Sequence, residues 1–276
     1  MVTDGVTARK PLNSWMLETR SAEITGIYRY PVKGLSPERL SQVMLAAGRT
    51  LPADRRYAIE NGPSGFDPAA PKWMSKARFL MLMRDEWLAA LHTHFDDASH
   101  TLTIRKDGRE ATRGDLETAE GRAAIERFFA VDFAGAIKGP PKILSGGGHS
   151  FSDVAKKVVS IINLASVAAI EDMVGQPVHP LRFRANLYVK GWPAWHEFDL
   201  VGGTIAIGEV RLKVMKRIVR CAAIDVDPDT AARDLNLPHT LKQHLGHADC
   251  GVYAEVIAGG EVAEGNEIRS EGLSLL

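Results

Sequence analysis

The residue with the most reactive side chain in this sequence is Cys221, which ends a basic run. Four cations precede it, at Lys213, Lys216, Arg217 and Arg220. Neighbouring cations stabilise a thiolate over a thiol, and the thiolate is both the nucleophile and the metal ligand. The structural alternative is a small buried apolar residue, because most free cysteines have that role. The run by itself leaves both interpretations open.

A second group of metal-binding side chains follows at His239, His244, His247 and Cys250. Zinc takes nitrogen and sulfur ligands, so these side chains are chemically suited to a zinc site. Their spacing matches no common zinc signature, however, and residues 237–245 have the pattern of a polar amphipathic helix. We therefore expect a helix here, with zinc binding as the minor alternative.

Three further patterns are less specific. The glycine-rich run at residues 145–149 lacks the Gly-Lys-Ser/Thr ending of a phosphate-binding P-loop, which indicates a flexible connection. The alternating Asp225, Asp227 and Asp229 suit a hard cation, but they are more typical of a turn in which an Asp bonds its own backbone. A cysteine hydrolase using Cys221 and a distant His is conceivable, although no local signature supports it.

Composition argues against several classes of protein. Of the 276 residues, 45% are hydrophobic and 25% charged, which is typical of a globular protein. Lys and Arg total 34, as do Asp and Glu, so zero net charge gives no support to binding nucleic acid or a membrane surface. No apolar stretch is long enough to span a bilayer, and the N-terminus lacks the apolar segment of a signal peptide. We therefore expect a cytoplasmic protein.

The number and spacing of the cysteines limit the disulfide and metal-cluster chemistry that is open to this chain. The two cysteines, Cys221 and Cys250, are too few for a disulfide framework and too far apart for a Cys-x-x-Cys motif. They are also fewer than the four thiolates that usually hold an iron–sulfur cluster. We therefore expect reduced thiols in this chain.

The elements that must position these side chains are mostly short strands. Apolar patterns predict strands at residues 24–30, 41–45, 56–60, 79–83, 101–104, 158–162, 187–189, 204–207, 210–214 and 252–257. Helices are predicted at residues 86–92, 115–130 and 166–174, the last closed by Gly175. Many short strands with few helices predict a mainly β fold with some α (α+β), built as β-barrels with helices packed outside.

A stretch rich in Gly and Pro divides the patterned sequence in two. Residues 138–149 contain Lys-Gly-Pro-Pro-Lys and Ser-Gly-Gly-Gly-His, which fit neither a strand nor a helix. Residues 1–22 are polar and aperiodic. We therefore predict a loosely held tail at residues 1–22, one domain at residues 23–137 and a second at residues 138–276.

The alternation just before Cys221 is irregular. Leu212, Val214 and Ile218 share one face of a regular strand. Continuing that strand would place Arg220 on this apolar face, so we predict a bulge or strand end within the three residues before Cys221. Such irregularities re-aim side chains beside active sites.

Seven short motifs are spread over both halves of the chain. The first half contains Tyr-Pro-Val-Lys-Gly at 30–34 and Asp-Arg-Arg-Tyr at 54–57. The second half contains Leu-Ala-Ser at 164–166, Arg-Phe-Arg-Ala-Asn at 182–186, Arg-Cys at 220–221, Asp-Pro-Asp-Thr at 227–230 and Gly-Val-Tyr at 251–253. Together they resemble the MOSC family, named for the C-terminal domain of molybdenum-cofactor sulfurases. The resemblance implies a MOSC-type β-barrel preceded by a smaller β-barrel-like N-terminal domain.

The resemblance also implies a molybdenum site at Cys221. In the family, the matching cysteine ligates molybdenum through its thiolate beside the dithiolene of the pyranopterin cofactor, so Cys221 would be both metal ligand and catalytic residue. Lys33 and Arg56 would bind the cofactor's phosphate and pterin, and Arg184 and Asn186 the pterin's polar edge. The cofactor-binding residues implied are Lys33, Arg56, Ser166, Arg184, Asn186, Arg220, Asp227 and Tyr253.

Similarity to amidoxime- and N-hydroxylated-base-reducing members implies an oxidoreductase that binds the molybdenum cofactor (molybdopterin) and reduces small N–OH compounds. The chain has too few cysteines for a fused ferredoxin domain, so electrons would come from a separate ferredoxin- or flavoprotein-type partner. Two alternatives stay open, a non-catalytic cofactor carrier and a sulfur-transfer protein using a Cys221 persulfide. Cys250 stands where reductase members commonly have an aromatic residue, which implies a second thiol near the site.

Overall fold

The computed structural model describes residues 21–271 and shows a predominance of β-strands. The strands are β1 (Ala22–Arg29), β2 (Glu38–Leu40), β3 (Gln42–Leu45), β4 (Ala58–Asn61), β5 (His92–Asp96), β6 (Thr101–Lys106), β7 (Arg109–Asp115), β8 (Pro141–Leu144), β9 (Val159–Asn163), β10 (Leu187–Lys190), β11 (Thr204–Ile207), β12 (Val210–Val219), β13 (Asp249–Ala258), β14 (Gly260–Ala263) and β15 (Glu267–Ser270). The α-helices are α1 (Ala119–Asp132), α2 (Leu164–Val174), α3 (His196–Asp199) and α4 (Leu237–Leu245). Short 3-10 helices cover Lys76–Arg78, Glu86–Ala90, Pro180–Phe183 and Ala222–Asp225. None of the helices within residues 21–271 has the length and apolar character needed to cross a bilayer.

Seven strands close into a barrel in the order β1-β10-β9-β13-β12-β11-β15. Closure occurs because β1 pairs with β10 along one edge and with β15 along the other. Neighbouring strands are antiparallel except for β9 and β10, which run parallel. Inward side chains such as Ile24, Val214 and Ala254 are fully buried, so the barrel interior is a packed aliphatic core rather than a channel.

Smaller sheets and helix α1 form a second hydrophobic core beside the barrel. Strands β5, β6 and β7 make one sheet, which packs against α1, while β4 pairs with β8. The core includes Phe95 and Phe129 together with Val32 and Leu35. Because Val32 and Leu35 flank Lys33, burying these neighbours holds the Lys33 backbone in place.

The strand pairing crosses the predicted domain boundary. Strands β1 and β2 come from the first half of the chain but join the barrel sheet, and β3 pairs with β14. The division into residues 23–137 and 138–276 stays a prediction. Residues 1–20 of the predicted tail lie outside the described residues, and Ala22 is already part of β1.

The predicted fold class is confirmed, and most predicted elements are present with shifted ends. The prediction of a strand at residues 79–83 was wrong. Phe79 makes a single bridge to Glu60, and the chain then turns because Asp85 accepts a hydrogen bond from the Met81 N–H at 2.9 Å. The apolar run is buried there without pairing as a strand.

The predicted irregularity before Cys221 is confirmed in the pairing of β12 with β13. The register shifts between Arg217 and Val219, where β12 ends. Gly251 lies opposite this shift with a left-handed φ of 75°, and a Cβ there would lie 2.4 Å from the Ile161 carbonyl oxygen. Glycine therefore permits the bulge from which the chain leaves the barrel wall.

Replacing Gly251 by Ala should destabilise the fold by about 3 kcal/mol, since left-handed strain and a backbone clash both oppose the new Cβ. Gly246→Ala is the matched control. Gly246 also has a left-handed φ of 77°, but nothing lies within 4 Å of its added Cβ, so we expect a loss of only about 1 kcal/mol. Urea unfolding followed by circular dichroism measures both, and equal losses would contradict the clash.

Candidate functional site

A cavity of about 340 Å³ lies where the end of β12 meets the loops after β1 and β3. Six cations in its wall are buried or half-buried: Lys33, Arg55, Lys76, Arg182, Arg184 and Arg220. Two carboxylates, Asp54 and Asp153, line the same wall. The cations outnumber the carboxylates, so the cavity is suited to an anionic ligand.

Cys221 is half-buried in this wall, immediately before the 3-10 helix Ala222–Asp225. Its Sγ lies 3.1 Å from Nζ of Lys76, which begins the 3-10 helix Lys76–Arg78 and is distant in sequence. Desolvation acts against the charge on Lys76, but Asp153 and Cys221 outweigh it and raise the pKa of the ammonium group. Lys76 is therefore a fixed cation beside the thiol, an environment that suits a thiolate nucleophile or metal ligand.

Asp153 connects Lys76 to Lys33. Its Oδ1 accepts a hydrogen bond from Lys33 Nζ at 2.5 Å, and its Oδ2 lies 3.4 Å from Lys76 Nζ. Desolvation opposes ionisation of Asp153, but the two lysines hold the pKa of its carboxyl well below the ordinary value. Burial lowers the pKa of Lys33, and Asp153 offsets part of that effect. One carboxylate thus orders two ammonium groups and leaves the wall with excess positive charge.

Arg55 and Arg184 both lie against the ring of Tyr30. Their guanidinium carbons are 4.7 and 4.3 Å from the ring centroid. Arg55 also pairs with Asp54 at 2.6 Å and donates to the Arg184 carbonyl at 3.0 Å. Desolvation lowers the pKa of Arg184 to about 10, an effect that Tyr30 opposes and Arg55 reinforces. The two guanidinium groups are therefore held rigidly and close together at the cavity.

Two arginines in the wall have N–H groups without a hydrogen-bond acceptor. Arg220 donates through Nε to the Cys250 carbonyl and through Nη1 to the Phe183 carbonyl, both at 2.8 Å. Its buried Nη2 has no partner among the described residues, and the same is true of Nε in Arg182. A buried N–H group without an acceptor costs free energy, and a ligand that accepts its hydrogen bond removes that cost. The phosphate-bearing, acceptor-rich cofactor implied by the family resemblance fits this wall.

Asn186 and Tyr253 also line the cavity. The Asn186 amide is mostly engaged in the framework, because Oδ1 accepts from the N–H and hydroxyl of Ser160 and Nδ2 donates to the Tyr28 carbonyl at 3.1 Å. Its predicted contact with a pterin is therefore limited to what these bonds leave free. Burial raises the pKa of Tyr253 against the opposing charge of Arg220, so its phenol is neutral.

Arg56, predicted to bind the phosphate, lies outside this cavity, and its neighbour Arg55 lines the cavity instead. The backbone of Arg55 is left-handed, with φ of 52°, and its side chain reaches Tyr30. Arg56 instead pairs with Glu117 at 2.8 Å, outside the cavity lining. Within Asp-Arg-Arg-Tyr, Arg55 and not the predicted Arg56 therefore lines this cavity.

Ser166 and Asp227, also predicted to bind the cofactor, lie outside the cavity as well. Helix α2 is capped by Asn163, so Ser166 is not the N-cap and its hydroxyl donates to the buried Glu197 at 2.8 Å. Asp227 accepts two backbone N–H bonds within its own turn, which confirms the turn interpretation. Its other oxygen accepts from Arg182 at 2.7 Å, so Asp227 acts by holding a cavity residue in position.

The second cysteine and the possible zinc ligands do not form a site. Cys250 is fully buried in the core that contains α2 and α4 residues, and burial raises its pKa to about 12. No set of three or more His, Cys, Asp or Glu side chains within residues 21–271 is placed to hold a metal ion. Over that range the predicted zinc ligands do not come together, and the implied second thiol lies in the core instead of the cavity wall.

The sequence reasoning missed Arg55, Lys76 and Asp153. A usable signal exists for Arg55, since Asp54 directly precedes it and pairs with it. Lys76 and Asp153 lie in segments without strand or α-helix periodicity, so no local pattern marks them. Only tertiary structure brings Lys76 to Cys221.

Two family models match the chain. The MOSC N-terminal beta barrel domain matches residues 21–140 and the MOSC domain residues 145–269. No curated protein matches. Among solved structures, the YuaD protein from Bacillus subtilis is 14% identical, with 91% of this chain and 95% of that chain covered and a TM-score of 0.44. YiiM from Geobacillus stearothermophilus is 16% identical, covering 42% and 55% at a TM-score of 0.35, and YiiM from Escherichia coli 19% identical, covering 41% and 54% at 0.30.

Removing the ammonium group beside Cys221 should slow alkylation of the thiol. We expect Lys76→Ala to react with iodoacetamide several-fold more slowly near neutral pH, because Lys76 stabilises the thiolate at 3.1 Å. Mass spectrometry of the Cys221 peptide gives the rate, with buried Cys250 as the unreactive internal reference. Lys142→Ala removes an exposed lysine elsewhere and serves as the control. Equal slowing in both variants would show that Lys76 has no specific effect.

Proposed function

Because this chain belongs to the MOSC family, with the MOSC N-terminal beta barrel domain ahead of the MOSC domain, we propose that its cavity binds a molybdenum cofactor. The family is associated with that cofactor. The proposal rests on one observation. The Sγ of Cys221 lies 3.1 Å from Nζ of Lys76, in a cavity wall rich in cations. A soft thiolate is the ligand that a thiolate-rich metal centre favours, so Cys221 would bind the molybdenum.

The cations would hold the anionic and polar parts of the cofactor. Lys33 and Arg55 are the proposed phosphate ligands, since a lysine supplies a point charge and an arginine a planar fork of donors. Arg184 and the unpaired N–H of Arg220 would bind oxygen or nitrogen acceptors of the pterin. Tyr253 would add a neutral phenol group to this set.

We propose that the protein reduces N-hydroxylated compounds. Such a reduction breaks the N–O bond, takes up two electrons and two protons, and releases the amine or amidine together with water. When bound, the cofactor supplies the two-electron chemistry. The chain's own contribution is the Cys221 ligand and the fixed charge of Lys76, whose raised pKa makes it a poor proton donor. A cytoplasmic location is part of this proposal.

Substituting Cys221 by Ala should remove most of the bound metal. We expect the variant, purified from a host that makes the cofactor, to carry about one tenth or less of the molybdenum found without the substitution, because the thiolate ligand is gone. Elemental analysis gives the metal, and fluorescence of the oxidised pterin gives the cofactor. Cys250→Ala is the matched control and should keep both.

Each other outcome points to a different function. Molybdenum retained in Cys221→Ala would overturn the ligand assignment. Bound metal without turnover of N-hydroxylated substrates by an artificial electron donor would identify a cofactor carrier. A persulfide on Cys221 in protein that contains no molybdenum would identify sulfur transfer.

The mouth of the cavity offers a surface for an electron-donor protein. Lys216 and Arg217 are exposed there, and neither has an ion-pair partner among residues 21–271. Val219, which is 75% exposed, lies between these cations and Cys221 in the chain. A donor must bring its redox group close to Cys221. We therefore propose that an acidic ferredoxin- or flavoprotein-type partner docks here, its carboxylates against the two cations.

Reversing both charges should impair the protein donor selectively. For Lys216→Glu combined with Arg217→Glu, we expect the ratio of turnover with reduced ferredoxin or flavodoxin to turnover with reduced methyl viologen to fall about tenfold at low ionic strength. The difference should shrink in high salt, because salt screens exposed charges. Arg211→Glu with Lys213→Glu makes the same charge change on the same strand and is the control. An unchanged ratio would contradict docking at this surface.

A further inference from the structure

A second cavity, of about 570 Å³, lies beside the first. Asp54 lines both cavities, whereas Arg55 lines the first and Arg56 the second. Other walls of the second cavity are formed by Met44, Ala46, residues 49–53, the glycine-rich run at residues 145–149, and Lys157. The proposed cofactor chemistry assigns no role to this cavity.

Two cations approach the glycine-rich run from different segments. A Cβ placed on Gly148 would lie 3.3 Å from Nη1 of Arg49 and 4.0 Å from Nζ of Lys157. None of the ion pairs among the described residues includes Arg49 or Lys157. Two like charges brought together without a carboxylate repel each other, and an anion placed between them would relieve that repulsion.

The carboxylates of this cavity are already engaged. Glu117 accepts hydrogen bonds from Arg56 at 2.8 Å and from the Tyr57 hydroxyl at 2.6 Å. Asp54 pairs with Arg55 and accepts a hydrogen bond from a backbone N–H. The charges of Arg49 and Lys157 therefore remain uncompensated within the described structure.

The glycine-rich run allows a ligand to approach the backbone. The His149 N–H donates to the Gly146 carbonyl at 3.0 Å and closes a turn, with Gly148 in the left-handed region at φ of 63°. An added Cβ would meet nothing within 4 Å at Gly147, and at Gly148 it would crowd Arg49. Glycine at these positions leaves the backbone accessible and keeps the space between the cations open.

We propose that this cavity binds a phosphorylated small molecule, with its phosphate held by Arg49, Lys157 and the backbone at Gly147 and Gly148. Arginine, lysine and backbone N–H groups are the donors that proteins direct at phosphate. The apolar side chains of Met44, Leu51, Pro52 and Pro68 line the remaining wall and suit the organic part of such a ligand. The volume is sufficient for a molecule of nucleotide size.

His149 provides a local signal for binding. Its ring packs between Phe66 and Phe151, with centroids 5.4 and 4.7 Å away. Burial lowers the pKa of His149, and the charge of Lys157 lowers it further. A phosphate held at Lys157 would oppose the second effect, so ligand binding should shift the His149 resonances and raise this pKa.

The test is a titration of cofactor-free protein with inorganic phosphate, 5′-AMP and adenosine, followed by NMR of the His149 imidazole, assigned with His149→Gln. We expect saturable shifts with both phosphates and none with adenosine, and tighter binding of AMP if the organic part contributes. Arg49→Ala combined with Lys157→Ala should weaken binding at least about tenfold, because both phosphate-binding charges are lost. Arg127→Ala with Lys142→Ala removes one arginine and one lysine elsewhere and is the control.

The proposal is overturned if neither phosphate moves the His149 signal at about 10 mM, or if the Arg49 and Lys157 double variant binds as tightly as its control. Phosphate that binds without moving His149 would lie away from this cavity and would equally contradict the assignment. Because the protein used contains no cofactor, the outcome is independent of whether the chain is a molybdenum enzyme.

Discussion

Closure of the barrel by β1 is the constraint on which the rest of the structure depends. This strand comes from the beginning of the described chain, yet it pairs with β10 and β15 from the second half. The chain leaving β1 therefore carries Lys33 to the cavity that the end of β12 shares with Cys221. The two residues form one wall because the barrel is closed, and an open sheet would leave them on unrelated surfaces.

The cavity gathers like charges that would separate in water. The protein limits their repulsion with the carboxylates Asp54 and Asp153 and with the face of the Tyr30 ring. It does not cancel the excess, and it leaves N–H groups of Arg182 and Arg220 unpaired. Each such buried donor costs roughly 1–3 kcal/mol. An anion with well-placed acceptors would remove those costs, and this gain would strengthen its binding.

Local rules predicted most of the fold, and their failures have identifiable causes. Gly175 closes α2 as expected because glycine adopts the left-handed cap at no steric cost. The strand prediction at residues 79–83 was wrong because an apolar run indicates only that the residues are buried, and residues in a turn can be buried as well as those in a strand. In the site, five of the seven motifs contribute residues to the cavity wall, but the sequence does not show that Arg55 lines the cavity and Arg56 does not, because that depends on the backbone conformation. Lys76 could not be found because only the tertiary fold brings it to the thiol.

The left-handed backbones of Arg55 and Arg184, with φ of 52° and 50°, have an evolutionary consequence. Non-glycine residues in this region cost on the order of 1–3 kcal/mol each, and glycine or asparagine would relieve that strain. Either replacement would also delete a guanidinium group from the cavity. Selection for a more stable fold and selection for a cationic cavity therefore act in opposite directions at these two positions, and variants chosen for thermal stability alone would drift away from ligand binding there.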